Sequence, residues 1–281
     1  MALTAKTILI TGATNGIGLH AASALASLGH TIILHGRNHA KGDVALSFIR
    51  QSNPQANVRF LQADFSSLAQ VRLLAEHINT LPKLDILINN AGAIFFQREE
   101  SHDGYEATFA TNHLAPFLLT NLILEKLKAA GTARIINVAS NAHRRAGALD
   151  FSDLMSNKSY APFKVYCHSK LANVLFTREL AQRLTDTGVT ANCLHPGVVR
   201  TGFGHNSNIF MRLLLTLAGR LFMISAEQGA KTIVHLATAT DIAGCSGQYF
   251  VDCKQIAPAA FAQDDLAAKR LWQQSAELTG L

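Results

Sequence analysis

Lys6-Thr7-Ile8-Leu9-Ile10 runs directly into Thr11-Gly12-Ala13-Thr14-Asn15-Gly16-Ile17-Gly18, and this stretch decides the fold. Five residues rich in β-branched and apolar side chains read as a strand. The glycine-rich segment reads as a sharp turn that opens a helix reaching to about Leu28. A turn of this kind lets the backbone approach a diphosphate, and a Cβ at the glycines would obstruct both the turn and the approach. The helix N-terminus then offers free N–H groups and the positive end of its dipole to an anion. The spacing is GxxxGxG rather than the commoner GxGxxG, so its position between the first strand and the first helix carries the weight.

Outward from that loop the pattern alternates short apolar runs with longer periodic segments, the mark of βαβ units and a parallel sheet. Strands are expected at 31–36, 58–62, 84–88, 134–139, 189–194 and 247–251. Helices are expected at about 40–50, 68–79, 104–129, 160–184, 226–237 and 264–278. The expectation is one doubly wound α/β domain of Rossmann type across 1–281, with about seven mostly parallel strands and helices on both faces. No linker or repeat divides the chain. Residues 141–159 and 198–208 read as long irregular stretches, and the region 198–224 as a lid over substrate.

Composition agrees: 48% of the 281 residues are hydrophobic and 16% charged, as expected when strands are covered on both faces. The net charge of +6 is scattered, with only two adjacent basic pairs, Arg144-Arg145 and Lys269-Arg270, which argues against a nucleic-acid surface. The four cysteines form no CxxC pair, and the histidines are not read as metal ligands, so no metal is expected. With a strand starting near the N-terminus, a signal peptide or membrane anchor has no room, which implies a soluble cytoplasmic protein. The apolar stretch 209–224 contains Arg212 and Arg220 and reads as an amphipathic helix, covering a pocket or touching a membrane surface.

Three further positions carry chemistry. After the second strand stands Gly36-Arg37-Asn38, where an acid would bind a ribose 2′-hydroxyl; Arg37 instead suits a 2′-phosphate and points to NADP(H). Tyr166 and Lys170 are four residues apart on one helix face. A phenol is too weak an acid for general acid–base work at neutral pH, and a neighbouring ammonium is expected to lower its pKa. Ser140 follows the strand 135–139, beyond the carboxyl end of the sheet, where ligands of such folds sit.

In this order the motifs resemble the short-chain dehydrogenase/reductase family. They are the loop Thr11 to Gly18, Asp64, Asn89-Asn90-Ala91-Gly92, Asn112, Ser140, Tyr166-Cys167-His168-Ser169-Lys170 and Pro196-Gly197-Val198-Val199-Arg200-Thr201. The segments 166–176, 195–200 and 246–250, with Leu271-Trp272, are similar to the retinol dehydrogenase branch. The resemblance implies that Tyr166 is the proton donor or acceptor and that Ser140 orients the substrate oxygen. Lys170 would bind the nicotinamide ribose, and Asn112 would help hold a water relaying protons toward it. Gly12, Thr14, Asn15, Gly16, Ile17 and Gly18 would cradle the diphosphate, with Asp64 at the adenine and Asn90, Ala91 and Gly92 at the adjoining ribose. Pro196, Gly197, Val199 and Thr201 would hold the nicotinamide end. The implied substrates are apolar aldehydes, ketones and alcohols, retinoids among them, for a monomer or homo-oligomer.

Alternatives on the same fold are a catalytically silent nucleotide sensor and a membrane-peripheral binding protein. His168 and His195 read as packing or structural residues, and Cys167 as uninvolved. Phe95, Phe96, Phe203 and Phe210 read either as pocket lining or as ordinary core.

Overall fold

The computed structural model describes residues 5–198 and 224–281. The expectations for Val199, Thr201, Phe203, Phe210 and the 209–224 helix lie outside the described residues, as does the lid except for its ends. The chain forms a single α/β domain whose eight-stranded sheet runs in the order β3-β2-β1-β4-β5-β6-β7-β8. The strands are β1 (Thr7–Ile10), β2 (Thr31–Gly36), β3 (Val58–Gln62), β4 (Ile86–Asn89), β5 (Ala133–Val138), β6 (Val189–His195), β7 (Tyr249–Val251) and β8 (Lys254–Ile256). All neighbouring pairs are parallel except β7 with β8. The sequence reading stops at about seven strands because all three residues of β8 are exposed and carry no core-facing pattern. A tight turn at Asp252 and Cys253, both at positive φ, returns the chain and makes this hairpin.

Strand order reverses between β1 and β4, and such a switch point opens a crevice beyond the carboxyl ends of the strands. Helices α1 (Gly16–Ser27), α2 (His39–Ser52) and α8 (Ala226–Thr238) flank one face. Helices α3 (Leu68–Asn79), α5 (Ala115–Leu122), α7 (Pro162–Arg183) and α9 (Asp265–Thr279) flank the other. The central strands β1 and β4 are apolar but for Thr7 and Asn89 at their ends, because both faces are packed.

The expected helix at 104–129 is not continuous. Glu106 caps α4 (Ala107–Phe109) by accepting from the N–H groups of Thr108 at 2.8 Å and Phe109 at 2.6 Å. A π-helical turn, Ala110–Leu114, follows before α5 begins with Pro116 in its first turn, and Ile123 separates α5 from α6 (Leu124–Lys128). Such π-turns insert one residue into the helical ladder and often mark functional sites. Asn112 lies in the middle of this one.

Candidate active site

The glycine loop leaves β1 with the geometry its residues demand. Gly12 has φ +62°, and a Cβ there would lie 2.7 Å from the Ala91 Cα. A Cβ on Gly18 would lie 2.4 Å from Asn90 Nδ2 and 2.7 Å from the Gly12 carbonyl oxygen. Thr11 Oγ1 accepts from the backbone N–H groups of Asn90 and Ala91, both at 3.0 Å. Asn90 Nδ2 donates to the carbonyls of Thr11 at 2.8 Å and Gly12 at 3.0 Å. Both N–H groups of Asn90 thus brace the loop, and what it offers a ribose is its amide oxygen. The N-cap Asn15 makes no side-chain cap, and the first turn of α1 carries no acid. Its N–H groups remain available to a phosphate, so loop and helix end fit a dinucleotide diphosphate.

Arg37 is exposed at the end of β2, and among the described residues its guanidinium has no hydrogen-bond or ion-pair partner. Its backbone carbonyl accepts from Gln62 Nε2 at 3.2 Å. Asp64, just past β3, accepts from the Ser66 N–H at 2.9 Å. His35 was missed by sequence reasoning. Its Nε2 donates to the Ala63 carbonyl at 3.0 Å, leaving Nδ1 to accept from the Gly12 N–H at 3.4 Å. Burial pulls this imidazole down to about 4, so it remains neutral.

Beyond β5, Ser140 caps the short 3-10 turn Asn141–Arg145 by accepting from the Ala142 N–H at 3.1 Å. Its hydroxyl faces the Tyr166 phenol. Burial drives that phenol up to about 12, and the Ser140 hydroxyl acts in the opposite direction. Lys170 Nζ lies 5.7 Å from the Tyr166 ring centre and donates to the Val138 carbonyl at 3.0 Å. Burial pulls its amine down to about 8. The expected acidification of the phenol by this ammonium is therefore not what the arrangement produces: desolvation dominates, raising the tyrosine and lowering the lysine.

Asn112 is fully buried. Its Nδ2 donates to the Ala93 carbonyl and to Ser169 Oγ, each at 2.9 Å, and its Oδ1 accepts from the Ala93 N–H at 2.7 Å. Ser169 in turn donates to the Tyr166 carbonyl at 2.8 Å. A Cβ on Gly92 would meet Asn112 Oδ1 and Lys170 Nζ, both at 3.3 Å, so Gly92, Asn112 and Lys170 surround one small space. Pro196 and Gly197 follow β6, and Gly197 has φ +92° with Ile224 against it. The Ile224 N–H donates to the Val198 carbonyl at 2.9 Å, joining the two ends of the intervening chain beside that turn.

Beneath the site runs a buried polar ladder that the sequence reading also missed. Asn89 Nδ2 donates to Thr120 Oγ1 at 2.9 Å and Asn137 Oδ1 at 2.8 Å, and Asn137 Nδ2 donates to Thr177 Oγ1 at 2.9 Å. Asn89 and Asn137 are register partners in β4 and β5. Two asparagines near the ends of adjacent apolar strands were the available signal. Of the residues left aside, His168 donates from Nε2 to the Ala146 carbonyl at 3.0 Å, Cys167 is buried, and Phe95 and Phe96 are half-buried.

The sequence profile of the short chain dehydrogenase family matches residues 6–211. This chain belongs to the short chain dehydrogenase family. It is 44% identical to human retinol dehydrogenase 12 over 283 residues, covering 99% of this chain and 88% of that protein. It is 44% identical to human retinol dehydrogenase 13, covering 98% and 85%. These relatives place it on the retinol dehydrogenase branch. Among solved structures, an uncharacterized protein from Mycobacterium paratuberculosis superposes with a TM-score of 0.80 at 31% identity, covering 98% of this chain and 93% of that one. A blue fluorescent protein from a metagenomic library, in complex with NADPH, superposes with a TM-score of 0.70 at 27% identity, covering 89% and 97%. Membership makes the protein an oxidoreductase acting on CH–OH or C=O groups and a nicotinamide-dinucleotide binder. Among the described residues no helix is long and apolar enough to cross a membrane.

Proposed function

We propose that the protein is an NADP(H)-dependent oxidoreductase interconverting a lipophilic aldehyde or ketone with its alcohol, with Tyr166 as general acid and base. The observation that carries this reading is the Ser140 hydroxyl set beside the Tyr166 phenol, near enough to favour its ionised form against the effect of burial. It presents two O–H groups together beyond β5, where a carbonyl oxygen can accept from both. When bound, the nicotinamide supplies or takes up the hydride. Ser140 holds the substrate oxygen, and Tyr166 gives it a proton in reduction or removes one in oxidation. Lys170, with an amine pulled to about 8, is suited to passing a proton near neutrality. The Asn112 side chain is committed to Ala93 and Ser169, so its part in a proton relay falls to its backbone.

Residues 12 and 14–18 hold the diphosphate, Asp64 and residues 90–92 the adenosine side, and Pro196, Gly197, Val199 and Thr201 the nicotinamide side. Arg37 pairs with the 2′-phosphate, which is the basis for NADP(H). The retinol dehydrogenase relatives support an apolar substrate such as a retinoid. Val198 and Ile224 meet beside Gly197, next to the turn assigned to the nicotinamide side.

The test is turnover of all-trans-retinal and a panel of aliphatic and aromatic aldehydes, followed by NADPH absorbance, in the wild type and in Tyr166→Phe. The variant is expected to lose about 10²- to 10⁴-fold in kcat, the span of a general acid, with NADPH affinity close to normal. Full activity in Tyr166→Phe overturns the assignment.

A further inference from the structure

Three residues after Ser140, the chain buries a histidine completely: His143 has no exposed surface. Its two ring nitrogens face different partners. Nδ1 lies 2.6 Å from the Ser140 carbonyl oxygen, and Nε2 lies 3.2 Å from the Ala259 backbone nitrogen. A carbonyl only accepts and a backbone N–H only donates. The two contacts are satisfied together only by a neutral imidazole with its proton on Nδ1. A cationic ring would set Nε2–H against the Ala259 N–H, and the other tautomer would leave both contacts unmade. Burial lowers the imidazole below its ordinary range, in keeping with the neutral form.

The neighbours of His143 extend the same attachment. Asn141 Oδ1 accepts from the Tyr249 hydroxyl at 2.9 Å, and Arg144 Nη2 donates to the Ala257 carbonyl at 2.5 Å. The Tyr249 ring meets the His143 ring edge-on, with centres 4.9 Å apart. The turn that begins at Ser140 is thereby fastened to β7 and to the segment just past β8, more than a hundred residues away in sequence. His143 is the one member of this set that grips Ser140 itself.

We propose that His143, held as the Nδ1–H tautomer, is a positioning residue for the reaction: it fixes the backbone of Ser140, and so the direction of the hydroxyl that meets Tyr166. The inference rests on the reading of Ser140 and Tyr166 as the proton-transfer site. His143 touches neither substrate nor cofactor and acts through Ser140 alone.

The test uses the full chain with NADPH and all-trans-retinal, or the best aldehyde of the panel. His143→Asn keeps a donor where Nδ1 stands but does not reach Ala259. His143→Phe keeps the ring volume and removes both hydrogen bonds. His143→Phe is expected to lose about 30-fold in kcat, since an ångström of misplacement costs up to about 10²-fold, with KM for NADPH little changed and the melting temperature lowered by a few degrees for the Ala259 N–H left unpaired. His143→Asn is expected to recover most of the lost kcat. Two-bond 15N–1H correlation on the wild type is expected to show Nδ1 protonated and Nε2 bare at pH 7.

The proposal is overturned if His143→Phe keeps wild-type kcat, if Asn and Phe lose kcat equally, or if the proton sits on Nε2. If His143→Phe does not fold, the comparison of His143→Asn with the wild type and the tautomer measurement still decide. Failure of the underlying reading shows separately, as full activity in Tyr166→Phe.

Discussion

Lys170 reaches past Tyr166 to the backbone: its Nζ lies 5.7 Å from the centre of the tyrosine ring while donating to the Val138 carbonyl at 3.0 Å. That carbonyl ends the strand leading to Ser140. The lysine therefore ties α7 to the end of β5 and sets Tyr166 and Ser140 at a fixed separation. It does so as a buried amine pulled from its ordinary 10.5 to about 8. Holding its charge in the fold is costly, and that cost has a definite pH signature.

Lys170→Met is expected to abolish most turnover yet not to destabilise the fold at neutral pH as a lost ion pair would. In the unfolded chain the amine titrates near 10.5, and in the fold at about 8. Between these values the unfolded state holds more protons, so the wild type gains stability relative to the variant as pH rises from 8 to 10.5. Below pH 8 both states are charged and the full penalty, about 3 kcal/mol, is present. Denaturant unfolding of both proteins at pH 7 and pH 10, without added nucleotide, measures the difference. A gap independent of pH refutes the account.

Acid acts on different residues. His35, His113 and His195 are each pulled from 6.5 to about 4, chiefly by burial. They stay neutral in the fold and take up protons on unfolding, so stability is full above 6.5 and is lost as pH falls toward 4. His35→Gln retains a donor for Ala63 but does not titrate. Its stability is expected to fall less steeply over that range, by up to one proton, or about 3 kcal/mol integrated. Urea midpoints at half-unit pH steps decide; identical slopes would remove His35 from the explanation.

The phosphate loop gives a steric prediction. In Gly18→Ala the new methyl would enter 2.4 Å from Asn90 Nδ2, an amide already held by the Thr11 and Gly12 carbonyls. Neither the amide nor the loop backbone can yield without breaking those bonds. A loss of about 1–3 kcal/mol of stability is expected, as for other overpacked sites, together with at least tenfold weaker NADPH binding. Normal binding, read by NADPH fluorescence titration, would show that the loop is softer than its contacts imply.

Much of this was legible in the chain because parallel strands buried on both faces are apolar throughout, and glycines stand where a Cβ would collide. The 160–184 helix was readable within two residues at its start and one at its end. The interruption at 110–114 was not, because one inserted residue in a run buried almost throughout barely disturbs its period. Nor was β8, which buries nothing. The roles of His35 and His143 depend on contacts from residues far along the chain, 28 and 116 positions away. The direction of the Tyr166 shift depends on how deeply the hydroxyl is packed, which spacing on a helix does not reveal.

The proposed NADP(H) preference rests on Arg37, exposed at the end of β2 with its guanidinium unpartnered among the described residues. A 2′-phosphate placed there gains a bidentate, charge-assisted pair, whereas a 2′-hydroxyl gains little from it. Arg37→Ala is therefore expected to weaken NADPH binding by about 10- to 100-fold, the value of one or two such hydrogen bonds, and to leave NADH binding nearly unchanged. Arg37→Asp should go further, repelling the phosphate and offering the ribose hydroxyl an acceptor, so that the preference inverts toward NADH. Steady-state kcat/KM for both nucleotides, measured with one aldehyde at fixed ionic strength, checks both steps. Equal losses for NADPH and NADH would mean that Arg37 supports the loop and does not read the phosphate.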